Sequence, residues 1–282
     1  MPEFSRVATS ACEAMSIKYN TLVYELKQQG KQVLVMSLGE AYFDIPLYPM
    51  DDLPYPDVNH YSHSRGILEL RTKLAEYHCS EYGVTFDPER EILVTAGSKV
   101  AIHMTLMAMV DPGSEVLYSE PAWVSYPEQI RLCYGVPVGI PLEKTVYEFE
   151  SYITPKTRAI ILNNPHNPRG CVYTPEELEH LIALARKHNL WLLSDEAYSD
   201  FLTDGSFCSA ARLDPRKEHV VAFNSLSKNY GISGWRIGYV IGNEALIDNV
   251  LKINQHLITC PPTILSFYLA RHFDDLIAIT KP

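Results

Sequence analysis

The stretch that decides the reading is NSLSKNYGISGWRIGY, residues 224–239. Lys228 follows the apolar run VVAF (220–223) and stands among serines, glycines and aromatics. No charged residue lies within seven positions of it, and Arg236 comes eight positions on. A solvated lysine usually keeps charged company, whereas a desolvated amine is a better nucleophile. A plain loop lysine after a buried strand also fits this stretch, so the rest of the chain has to decide.

Working outward, short apolar runs alternate with helical patterns, the signature of βαβ units and a mainly parallel sheet. EILVTAG (91–97), EVLYSE (115–120), AIILNN (159–164), LWLLSD (190–195) and VVAFNS (220–225) read as strands. Helices are expected over 98–110, around 127–132 and over 174–189. The last is the clearest: Thr174 caps it, Pro175 takes the first helical position and Glu177 completes a capping box. Residues 12–29 look helical but lie outside the alternation, 46–61 read as an irregular loop, and 263–282 look helical.

Every polar oddity falls just past the end of an expected strand. Gly97, Ser98 and Lys99 follow the first, Trp123 the second, Asn164 and Asn167 the third, Asp195 and Tyr198 the fourth, Ser225 and Lys228 the fifth. Parallel strands bring these residues to one edge, where open α/β sheets bind ligands. This convergence lifts Lys228 above the plain reading.

A helix opening at Gly97-Ser98-Lys99 offers free N–H groups and a positive dipole end to a phosphate. The Ser225 hydroxyl and the Arg236 guanidinium, which grips phosphate bidentately, complete a cradle. No GxxxxGK[ST] loop occurs, and GISGWRIG lacks the GxGxxG spacing. Asp195 ends an apolar strand, a costly place for a carboxylate without a positive partner. Aimed at a pyridine nitrogen, it would hold that nitrogen protonated. Trp123 offers a stacking face, and Asn167 and Tyr198 can donate to a phenolic oxygen. Together these describe a phosphate-bearing pyridine aldehyde bound by a lysine, pyridoxal 5′-phosphate.

Composition sets outer bounds. The chain has 282 residues and a formal net charge of −10, which argues against nucleic-acid and anionic-membrane partners. Its six cysteines are scattered without a CxxC pair, the N-terminus has no apolar core of signal-peptide length, and a cytoplasmic home is expected. His60 and His63 stand three apart without a supporting carboxylate or cysteine cluster, so no metal site is expected.

The runs NPHNPRG (164–170), SDEAY (194–198) and SLSKNYGISGWRIG (225–238) resemble the fold-type I pyridoxal-phosphate enzymes, and within them the class I/II aminotransferases of the aspartate aminotransferase family. VTAGSKVAIHMTLMAMVDPGSEVLYSEPAWVSYPEQIR (94–131) and NHYSHSRGILELR (59–71) are similar to that family too. The resemblance implies a mostly parallel seven-stranded sheet sandwiched by helices. It also implies an N-terminal arm and part of a small domain over 1–45, a large cofactor-binding domain over 46–265, and over 266–282 the start of a helix leading to a shortened C-terminal small domain. It implies an amino transfer between an amino acid and a 2-oxo acid through a Lys228 Schiff base, with Lys228 also shuttling the proton. Asp195 would pair with the ring nitrogen, Asn167 and Tyr198 bind the phenolic oxygen, and Trp123 stack on the ring. Ser98, Lys99 by its backbone, Ser225 and Arg236 would bind phosphate beside Gly97. Tyr61 is similar to a tyrosine that reaches the phosphate of the neighbouring subunit, implying a homodimer. Gly39 matches a glycine lining the substrate pocket.

Three departures stand out. Family members commonly read Gly-Glu-Pro-Asp-Phe where this chain has GEAYF (39–43). Arg169 replaces a small residue. Beyond Arg236 only Arg271 follows, and it does not match the arginine that clamps the substrate carboxylate. A cofactor-binding remnant without turnover, or a lyase or decarboxylase on the same cofactor, are therefore the rival expectations.

Overall fold

The computed structural model describes residues 2–36, 39–202, 204 and 207–281. Helices α1 (Arg6–Ser10) and α2 (Met15–Gln28) lead the chain. There follow α3 (Leu68–Tyr82), β1 (Ile92–Thr95), α4 (Ser98–Met109), β2 (Glu115–Ser119), α5 (Ser125–Leu132) and β3 (Val136–Ile140). Next come β4 (Thr157–Asn163), α6 (Pro175–His188), β5 (Trp191–Asp195), α7 (Ala210–Leu213), β6 (Val220–Ser225) and α8 (Leu226–Asn229). Then β7 (Gly238–Ile241), α9 (Glu244–Leu257), α10 (Thr263–Arg271) and α11 (Phe273–Thr280) complete the order.

The seven strands form one sheet in the order β1-β7-β6-β5-β4-β2-β3. All pairs are parallel except those of β7, which runs antiparallel to both β1 and β6. β1 therefore points the same way as the others, and the carboxyl ends of six strands share an edge with the start of β7. The expected strands all form. β3 and β7 are additions that the sequence reading did not include. β3 carries Pro137 and Gly139, which weaken a strand pattern and suit the sheet edge where it lies. β7 is four residues long and hidden inside a glycine-rich run.

Alternation along the strands divides the core in two. Ile160 and Leu162 of β4, Leu192 of β5 and Val220 and Ala222 of β6 pack with Leu70 and Leu74 of α3 and Leu178 and Leu181 of α6. Ala159, Ile161, Leu193, Val221 and Phe223 face the other way, against Ala101 and Ile102 of α4, Ile130 of α5 and Ile247 of α9. A period of two with both faces covered is what a buried parallel sheet requires. α6 forms as its sequence dictates, with Thr174 Oγ1 accepting from Glu177 N at 3.2 Å and Glu177 Oε2 accepting from Thr174 N at 2.9 Å. The α2 helix departs from this pattern, with no described residue buried. The helical C-terminal segment is two helices, parted at His272. Among the described residues no helix is long and apolar enough to cross a membrane.

The start of β7 passes so close to α4 that a Cβ on Gly238 would overlap the Ser98 backbone nitrogen. Gly238→Ala is expected to cost about 1–3 kcal/mol through this clash. Gly234→Ala, with nothing within 4 Å of the added carbon, should stay within about 0.5 kcal/mol of the parent. Denaturant melts of the two variants check this, and equal stability would contradict the close pass.

Candidate active site

The first group of site residues gathers where β1, β6 and β7 meet. Gly97, with φ +93°, turns the chain from β1 into α4, a conformation that suits glycine. Thr95 Oγ1 donates toward Gly97 O at 3.1 Å and Gly238 O at 3.2 Å, tying the turn to β7. Ser98 and Lys99 then open α4, where N–H groups have no partner inside the helix. Arg236 sits in the left-handed region at φ +55° and folds over the turn, so that a Cβ on Gly97 would overlap its Nη2. Its Nη1 donates to Ser233 O at 2.7 Å and Ser227 Oγ at 3.3 Å. Ser225 is paired with Gly238 across the β6–β7 ladder and caps α8, its hydroxyl accepting from Ser227 N at 3.2 Å. Gly97, Ser98, Ser225 and Arg236 are thus brought together. Ser227 joins them unanticipated, though it lies inside the quoted motif.

The Lys99 side chain has a contact that the sequence did not suggest. Its Nζ lies 5.0 Å over the Trp123 ring, a cation–π arrangement. Burial lowers its proton affinity, and the Arg236 charge lowers it further. Trp123 also meets Tyr126 edge-on at 5.2 Å between ring centroids.

Asp195 closes β5 in the middle of the sheet, in register with Asn163 of β4 and Phe223 of β6. Neutral donors of the chain itself hold its carboxyl. Tyr126 Oη donates to Asp195 Oδ2 at 2.6 Å, and Ala197 N donates to Oδ1 at 3.3 Å. Burial pushes the Asp195 carboxyl up to about 6, and these two donors restrain the rise. Tyr126 is the clearest residue the sequence reading missed. It lies three positions beyond Trp123, the second residue of α5, and only the fold carries its hydroxyl to the end of β5. Glu196, next in the chain, is enclosed by Ser194 Oγ at 2.8 Å, Ser209 Oγ at 2.8 and 3.0 Å and Ala210 N at 3.1 Å.

Tyr198 and Asn167 meet as expected, with Asn167 Nδ2 donating to Tyr198 Oη at 3.3 Å. Asn163 Oδ1 holds Asn167 by accepting from its N–H at 2.6 Å, while Asn163 Nδ2 donates to Asp195 O at 2.9 Å. Burial raises the Tyr198 phenol, and the Asp195 charge raises it further.

Lys228 is half-buried on α8. Burial lowers its proton affinity first, with the Glu40 carboxylate opposing and Arg236 assisting. Its Nζ donates to the carbonyl of Gly39. The segment 39–43 lies across this loop: Ser233 Oγ donates to Glu40, and a Cβ on Gly231 would press on Phe43 at 2.7 Å. Gly39 is therefore beside the lysine despite the altered sequence around it. Tyr61 is apart from this group, 86% exposed on the wall of a cleft of about 660 Å³ shared with Ala96 and the segment 258–264.

These pieces suit a flat ring bearing a phosphate. A glycine cradle whose two Cβ positions are filled by neighbours, first-turn N–H groups and a guanidinium serve the anion. A carboxyl held among neutral donors, an indole face and a phenol–amide pair serve the ring. Such a donor set on an open α/β sheet defines a cofactor-dependent α/β enzyme.

Comparison with known proteins agrees. The family model described as aminotransferase class I and II matches residues 51–280. The chain is 36% identical over 273 residues to an aspartate/prephenate aminotransferase of Thermus thermophilus, covering 94% of this chain and 70% of that protein. It is 34% identical over 264 residues to an aromatic-amino-acid aminotransferase of Thermococcus litoralis, covering 90% and 68%. The solved aspartate aminotransferase from Thermus thermophilus with maleate superposes with a TM-score of 0.86 at 30% identity, covering 99% of this chain and 76% of that one. The chain belongs to the class I and II aminotransferase family and is a pyridoxal-phosphate-dependent aminotransferase.

Burial leaves a measurable mark on the cofactor-free chain. The Asp195 carboxyl is raised from 3.8 to about 6 and that of Glu196 from 4.5 to about 7. Between the unfolded and folded values the folded chain binds more protons, so these two groups make stability fall as pH rises through that window. Glu196→Gln removes one of them, and its thermal midpoint should fall less than the parent's between about pH 5 and pH 8. An unchanged slope would contradict the assignment.

Proposed function

We propose that Lys228 is the residue that joins the cofactor covalently and then carries the proton at the substrate α-carbon. The observation that supports this most is the convergence on Lys228 and Asp195 of groups from six segments at one sheet edge. When bound, pyridoxal phosphate supplies an electrophilic carbonyl carbon and a ring that accepts the electron pair left at the substrate α-carbon. Everything else is work for the chain. Burial and Arg236 favour the neutral amine of Lys228, the form that attacks a carbonyl and takes up a proton. Asp195 holds a proton on the ring nitrogen, and Tyr126, by donating to Oδ2, favours the ionised carboxylate that this requires.

In the same reading Trp123 stacks on the ring, and Tyr198 and Asn167 donate to its phenolic oxygen. The N–H groups of Ser98 and Lys99, with Gly97 allowing close approach, hold the phosphate together with Ser225 and Arg236. Gly39 borders the substrate, its carbonyl already at the lysine amine. Residues 46–265 form the cofactor-binding unit. The stretch 1–45 is an arm and part of a second, smaller unit, a reading supported by the absence of buried residues among those described in α2. The stretch 266–282 leads toward that unit while packing Leu269, Phe273 and Leu276 into the core beside α3.

Two chains associate, with Tyr61 of each serving the phosphate of the other. The exposed Tyr61 ring and the exposed Ile258 on the same cleft support this arrangement. A cytoplasmic setting fits the six cysteines, all free thiols, two of them exposed.

The test is a half-reaction. The chain loaded with pyridoxal phosphate is mixed with each of a panel of amino acids, and the products are identified by mass spectrometry. Without an acceptor, about one equivalent of 2-oxo acid per chain is expected, and turnover should follow on adding a 2-oxo acid. Lys228→Ala should release none. Decarboxylated or eliminated products, or no 2-oxo acid from any donor, would contradict the proposal.

A further inference from the structure

Behind the reacting side chains lies a buried polar cluster that none of the roles above uses. Asn229 follows Lys228 directly, Ser199 follows Tyr198, and Asn224 precedes Ser225. All three are buried, at 4%, 1% and 2% exposure. Asn229 Nδ2 donates to Ser199 Oγ at 3.1 Å and to Asn224 Oδ1 at 3.0 Å, and Asn229 Oδ1 accepts from Asp200 N at 3.4 Å. Asn224 Nδ2 donates to the same Ser199 Oγ at 3.0 Å, and Asn224 Oδ1 accepts from Ser225 N at 2.7 Å. The backbone N–H groups of Asp200 and Ser225 fix both amide orientations, since a flipped amide would set donor against donor.

Counting protons gives the cluster a direction. A serine hydroxyl has two acceptor sites and one donor. Two amides fill the acceptor sites of Ser199, so its proton points to Tyr82 Oη at 2.9 Å. Tyr82 in turn donates to the Asp200 carboxylate, which also accepts from Tyr77 Oη at 2.7 Å. Each bond has one allowed sense, and the chain of donors ends on an acceptor. The Asn229–Ser199–Asn224 part of this network is satisfied and runs one way, which specifies one geometry there. Asp200 Oδ2, at its far end, has no hydrogen-bond partner among the described residues.

We propose that Asn229 is a positioning residue for the transfer reaction: bonded to Ser199 and Asn224 together, it fixes the spacing of Lys228 from Tyr198 and Ser225. The inference rests on the roles proposed above for those three residues. Asn229 touches neither the phosphate cradle nor Asp195. Its loss should therefore misplace the amine relative to the phenol, slowing covalent capture of the cofactor, and leave its initial non-covalent binding largely intact.

The experiment follows the growth of the pyridoxal-phosphate chromophore in the cofactor-free chain, separating the limiting rate from the half-saturating concentration. The variants are Asn229→Ala, Ser199→Ala and the double substitution, with Ile182→Val as a core control of ordinary stability loss. Each single change should lower the limiting rate about tenfold, as small misplacements of reacting groups do. Half-saturation should stay within about twofold of the parent, and the double variant should be no slower than the slower single one, because the two side chains act as one unit. Limiting rates no lower than that of Ile182→Val, or single losses that multiply in the double variant, would overturn the proposal. Should Asn229→Ala fail to fold, Ser199→Ala deletes a single oxygen and carries the same test. No chromophore in the parent chain would instead overturn the assignment of Lys228, and the inference with it.

Discussion

The register of the sheet is the constraint on which the site depends. Asn163 pairs with Asp195, Asp195 with Phe223, Ser225 with Gly238, and Gly238 with Thr95. Two rows of backbone partners, two residues apart on β6, therefore align residues separated by as many as 143 positions, the separation of Thr95 from Gly238. A slip of one residue in any strand would turn its last side chain to the opposite face. The two apolar cores forbid such a slip, since both faces of the sheet are covered. The bulk of the hydrophobic packing thus acts on the chemistry by holding five strand ends level.

Burial then tunes the groups so aligned. The same loss of solvent lowers the proton affinity of Lys228 and raises that of Asp195, because in each case it disfavours the charged form. The Lys228 shift serves the chemistry directly, since a neutral amine attacks carbonyl carbon, whereas the Asp195 shift opposes the ionised carboxylate that a cationic ring nitrogen needs. Tyr126 mediates between burial and charge, with one strong bond that favours the ionised carboxylate without adding a counter-charge of its own. Arg236 does a related double duty. It closes the cradle over Gly97 and, as a nearby cation, depresses the affinities of Lys99 and Lys228.

Much of this was legible in the sequence. The five strands, the capped α6 helix and the row of polar residues past each strand end follow from apolar periodicity, capping chemistry and the habit of open sheets. The run 225–238 carried Ser225, Lys228 and Arg236 together. What escaped had no local signal. β3 is masked by Pro137 and Gly139, and β7 by its shortness. Tyr126 is one more aromatic in a helix start until the fold sets it against Asp195. Ser227 lies within the motif, bonded to Ser225 and Arg236. Asn229 and Ser199 sit beside anticipated residues, but the bond between these two spans 30 positions, and periodicity says nothing about such pairs. The family resemblance implied the roles of Tyr61 and Gly39, and the fold leaves the first exposed and the second at the lysine.

The central claim is that Lys228, of the chain's lysines, is the one that the fold prepares for the cofactor. Borohydride reduction after incubation with pyridoxal phosphate, followed by peptide mass mapping, tests it most directly. The account predicts a stable pyridoxyl group on Lys228 in the peptide spanning the 225–238 motif. A label on another lysine, with Lys99 the nearest rival in the site, or no stable label at all, would contradict it.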